Sequence, residues 1–136
     1  MLEEEQAGAM PERRRKKDSD SERASGEVVA ALLSLLFGIA ALTLTHWWSI
    51  ANPSAGAMTL LRISSYLPNG LRIGPYGGKE VTALAAWLGS WLVLHVLLGK
   101  LELRLRFWIP VFVAGVFVLL LLLWPPVYHR IYGWPA

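Results

Sequence analysis

The chain has 136 residues, of which 54% are hydrophobic and only 17% charged, a balance outside the range of water-soluble domains. It contains no cysteine, which excludes a disulfide framework, thiolate metal sites and thiol nucleophiles. The formal net charge of +3 comes with no basic helical stripe and no aromatic-interleaved basic patch, so nucleic acid is not expected as a partner.

Charge is concentrated at the beginning. Residues 1–27 hold Glu3, Glu4, Glu5, Glu12, Asp18, Asp20, Glu22 and Glu27, leaving Glu80 and Glu102 as the acids of the remainder. Residues 1–26 therefore read as a disordered, charged cytoplasmic tail with almost nothing apolar to bury. Within it Arg13, Arg14, Arg15, Lys16 and Lys17 form a continuous basic run, which is expected to act as a topogenic signal.

The segment from Val28 to Ile50 contains no Lys, Arg, Asp or Glu. As a helix it rises roughly 30 Å, enough to cross the hydrocarbon core. A cleaved signal peptide would have an apolar core of only about 7–15 residues, so an uncleaved anchor is expected. Residues 51–79 form a long connection rich in Gly, Pro, Ser and Asn. Asn52-Pro53 suits a helix start, and residues 57–67 suit a short interfacial helix with Leu60, Leu61 and Tyr66 on its apolar side. The alternative is a hairpin that pairs Leu61-Arg62-Ile63 with Leu71-Arg72-Ile73 around Pro68-Asn69-Gly70.

A second span is expected over residues 80–99, with Glu80 and Lys100 at the ends that suit a helix dipole. Gly77-Gly78 reads as a flexible lead into it. The third span covers residues 107–124, with Pro110 in its first turn and Pro125-Pro126 ending it. The fold class is thus an all-α integral membrane protein with three transmembrane helices. With the N-terminus in the cytoplasm, nine of the 13 Lys and Arg residues fall inside and Arg62, Arg72, Lys79 and Arg130 outside, as the positive-inside bias prefers. Trp47, Trp48, Trp124, Tyr128, Tyr132 and Trp134 would then mark the outer interface, with Trp108 at the inner one.

Candidate chemistry is sparse. His95 is an ionisable group inside a span, with Trp87 and Trp91 eight and four residues before it, an arrangement that could wall a haem or quinone pocket. The competing reading has His95 hydrogen-bonded to a neighbouring helix and the tryptophans simply packed. His46 and His95 would differ in depth by roughly 20 Å, too far to share an iron, whereas His46 and His129 would share the outer face. No metal-ligand spacing is met, and Glu80 and Glu102, at opposite ends of the spans, assemble no hydrolytic site. The chain also lacks a phosphate-binding loop, a dinucleotide fingerprint and an HExxH pair.

Small residues recur every four positions at Ala30, Ser34 and Gly38, and at Ala85 with Gly89 or Ala86 with Ser90. In a bilayer such stripes let helices pack closely, within the chain, with a partner membrane protein or with a second copy. The expected function is a non-catalytic accessory or assembly subunit of the cell membrane, with no cofactor. The alternative is a redox-associated subunit that contributes histidine to a haem or quinone site.

Overall fold

The structure, a computed structural model, describes residues 2–133. Trp134 lies outside the described residues, as do the side chains of residues 2–11, 13 and 16–24, which include most of the basic run. Among the described residues the architecture is all helical: α1 (Leu2–Ala51), α2 (Pro53–Ser64), α3 (Gly70–Ile73), α4 (Pro75–Leu98), α5 (Leu105–Leu123) and α6 (Pro125–Tyr132). Three stretches are long and apolar enough to cross a membrane: Ser25–Ala51 within α1, Pro75–Leu98 and Leu105–Leu123.

The hydrophobic residues have no interior to occupy. Among the described residues only Val29, Ala30 and Leu60 are buried and hydrophobic, while Phe37, Leu44, Val96, Phe117 and Leu120 each leave more than half of their surface exposed. Such continuous apolar surface has to be covered by something other than water. Hydroxyl groups within these stretches bond to carbonyls of their own helix. Ser34 donates to the Ala31 carbonyl at 2.8 Å, Thr43 to Ile39 at 2.9 Å and Thr82 to Gly78 at 2.8 Å, so none disturbs an otherwise apolar helix.

The three long helices form an open layer rather than a closed bundle. α1 is central and packs on α4 and on α5, while α4 and α5 form no helix pair with each other. Over its most apolar window 28% of α1 is buried, against none of α4 or α5. The connection between α4 and α5 crosses α1 where its side chains are smallest. Ser25 and Gly26 are buried there, and the Leu103 N–H donates to Ser25 Oγ at 3.1 Å. A Cβ at Gly26 would collide with the Leu98 carbonyl oxygen.

Several elements differ from the sequence expectation for identifiable reasons. α1 begins at Leu2, so the helix of the first span runs back through the segment read as a charged tail. Glu, Ala, Gln, Arg and Lys, which dominate that segment, are strong helix formers, and elongating an existing helix costs far less than nucleating one. In the connection over 51–79 the short helix forms as expected, starting earlier than residue 57, and a second short helix stands where the alternative hairpin would have its second strand. α2 starts at Pro53, whose missing N–H is harmless at the first helical position, and Leu71-Arg72-Ile73 lies in α3.

α4 begins at Pro75, five residues earlier than Glu80, and takes Gly77 and Gly78 into its first turn. Both glycines are buried under α2. A Cβ at Gly78 would strike the Leu60 carbonyl, and one at Gly77 the Ser64 hydroxyl, so these residues permit close packing instead of supplying flexibility. α5 begins at Leu105, so Pro110 stands inside the helix, beyond its first turn. Beyond Pro125 the chain resumes as α6 in place of a tail.

Candidate functional site

The seam between α1 and α4 is built on residues four apart. Ala30, Ser34 and Gly38 are all buried; Ser90 Oγ reaches the Ser34 carbonyl at 3.5 Å, and a Cβ at Gly38 would come within 2.9 Å of the Trp87 Cβ. The α1 stripe therefore meets α4 within the chain, as small residues spaced in this way allow. On α4 the facing residues are Ala83, Trp87 and Ser90, whereas Ala85 and Gly89 are exposed.

The same four-residue ridges continue to His46 on α1 and Lys79 on α4. There Lys79 Nζ lies 3.2 Å from His46 Nδ1. An ammonium group has no acceptor, so Nδ1 accepts and the neutral ring carries its proton on Nε2. Lys79 also sits over the Tyr76 ring, 5.3 Å from its centroid, a cation–π arrangement. The Tyr128 ring of α6 meets His46 edge-on at 5.1 Å and lies 4.5 Å from the His129 ring. Tyr128 thus brings His46 and His129 to one corner, while the nitrogen of His46 that faces α4 is taken by Lys79. The sequence reading missed Lys79 because it placed this residue in the loop. Its four-residue spacing to Ala83 and Trp87 was the available signal.

Beside this pair is a hollow of about 280 Å³, lined by Ser49, Pro53, Ala57, Pro75, Tyr76 and Lys79. Arg62 and Arg72 are exposed on the neighbouring α2 and α3. Among the described residues no three His, Asp or Glu side chains converge as metal ligands would.

Next to it the end of α5 is secured by an unusual bond. Pro125 and Pro126 have no N–H, so the Leu121 and Leu122 carbonyls lose their ordinary helical partners. The Trp124 N–H takes Leu121 at 3.2 Å. The Trp47 indole N–H of α1 takes Leu122 at 2.9 Å, and its ring meets Tyr132 edge-on at 5.9 Å.

His95 lies at the other end of α4. It is exposed and stacks on Trp91 of its own helix, with centroids 5.4 Å apart and planes at 29°. The hydrogen bond to a neighbouring helix expected of a packed histidine is not formed among the described residues. Trp87 and Trp91 keep 38% and 39% of their surface exposed, so the Trp87–Trp91–His95 stripe follows the rim of α4.

α1 also has an open side. Two adjoining apolar grooves run along it. Leu33, Phe37 and Ala40 face Ala114, Gly115 and Val118 of α5, and Phe37, Ala41 and Leu44 face Ala86, Gly89 and Val93 of α4. A Cβ added at Gly89 would touch nothing within 4 Å. Compared with known protein families, curated proteins and solved structures, the chain matches none.

Proposed function

We propose that the chain spans the cell membrane three times, with its N-terminus cytoplasmic and its C-terminus outside, and acts as a non-catalytic accessory or assembly subunit through helix and loop contacts. The open layer carries this reading. Three spans of which the outer two pack on the central one and not on each other leave long apolar faces available to another membrane helix, and the small residues Ala86, Gly89, Ala114 and Gly115 line the grooves that such a helix would enter.

Extraction of the tagged full chain in a mild detergent tests this. A stoichiometric larger complex is the expected result. Gly89→Leu, which extends into open space, should leave the chain folded and abolish the complex. Recovery of the chain alone from every mild extraction would sink the proposal.

A second reading, a redox-associated subunit, draws on the corner where Tyr128 lies against both His46 and His129. The visible spectrum of the same sample separates the two. A Soret band lost in His46→Gln would favour the redox subunit, and a colourless complex the accessory role.

A further inference from the structure

We propose that the hollow at the junction of α1, α2 and α4 binds a phosphate group through Lys79, with His46 and Tyr76 holding the ammonium in place. Lys79 is half-buried, and its two partners are the neutral His46 nitrogen and the face of Tyr76. Neither neutralises its charge, and the adjacent Glu80 is exposed. A cation withdrawn from water into a largely apolar corner without a carboxylate gains most from an incoming anion. An ammonium has three N–H donors, and His46 accepts only one of them.

The surroundings favour phosphate over a larger solute. At about 280 Å³, the hollow falls below the roughly 300–1,000 Å³ of small-molecule sites, which suits a headgroup more than a whole organic ligand. Its level along the helices is marked by Trp47, Trp48, Tyr76 and Tyr128, aromatic residues of the kind that sit where acyl chains give way to headgroups. The anion abundant at that level in a bilayer is the lipid phosphate, and inorganic phosphate offers the same chemistry from solution.

The test titrates the full chain, in a neutral detergent, with short-chain phosphatidylglycerol, short-chain phosphatidylcholine or inorganic phosphate while following thermal unfolding by tryptophan fluorescence. A ligand that binds the folded chain raises the unfolding temperature, and does so further the more its free concentration exceeds its Kd. Phosphatidylglycerol is expected to stabilise more than phosphatidylcholine. Lys79→Gln should weaken its apparent affinity roughly ten- to hundredfold, the equivalent of one lost charge-assisted hydrogen bond. Lys79→Arg should retain binding, and Arg62→Gln should reduce it far less than Lys79→Gln.

Equal stabilisation by inorganic phosphate would assign the site to a soluble phosphate, and stabilisation by the lipid alone to a headgroup. Should Lys79→Gln fail to fold, His46→Gln, which frees the ammonium from its anchor, is expected to weaken binding while Lys79→Arg preserves it. Absence of any shift in the native chain overturns the proposal, as does a shift that survives loss of the Lys79 charge.

Discussion

The two seams that hold the layer together are built differently. Between α1 and α4, backbones approach over Gly38, Ser34 and Ala30, and the contact is made close to the main chain. Between α1 and α5, the Leu36 side chain fills the place opposite Gly115, and polar ties lie near the two ends, Ser25 to Leu103 and Trp47 to Leu122. One seam depends on the absence of side chains along its length, and the other on two hydrogen bonds far apart. In a bilayer, where lipid is as apolar as the helices, close packing and hydrogen bonds are the remaining sources of helix association, and the two seams hold them in different proportions.

Gly26→Val strikes where both seams meet, since its side chain would collide with backbone carbonyls that cannot swing away. It is expected to destabilise the chain by about 3 kcal/mol or more, read from denaturing-detergent unfolding. Trp47→Phe keeps the ring and removes the donor to the Leu122 carbonyl. A loss of about 1–3 kcal/mol should appear, with faster hydrogen exchange at the end of α5 while α4 stays protected. Uniform loosening of both helices would show that the seams are not independent.

The finest comparison sets Gly38→Ala beside Gly115→Ala. Each new methyl lies 2.9 Å from a neighbour, but at Gly38 that neighbour is the Trp87 Cβ and at Gly115 the tip of Leu36. Gly38→Ala should cost about 1–2 kcal/mol because Trp87 cannot retreat without moving α4. Gly115→Ala should lie near neutral, since Leu36 can turn aside and alanine gains about 1 kcal/mol of helix propensity over glycine. Equal costs in the same unfolding assay would remove the distinction between the seams.

Much of this fold was legible because it depends on local properties. An uncharged apolar run from Val28 to Ile50 is long enough to span whatever its neighbours do, and the spacing of Ala30, Ser34 and Gly38 marks a packing face before any partner is known. The starts of α4 and α6 were not legible for the same reason in reverse. Gly77-Gly78 weakens a helix in isolation and is held in one by Leu60 and Ser64 of α2, while Pro125-Pro126 ends one helix and begins another. Within the candidate site, the sequence singled out His46 as a polar group near a span end. Its pairing with Lys79, 33 residues away, depends on where α1 and α4 cross, which no local pattern specifies.

Because α1 is the shared wall of the layer, each later span can dock as soon as it is made. Chain growth delivers α1 first, then α4 against its small-residue side, then α5 against the other, and neither docking waits for a contact between α4 and α5. The strap over Gly26 closes between these two events. Assembly can therefore proceed in the order of synthesis, with each newly emerged helix meeting a surface already in place.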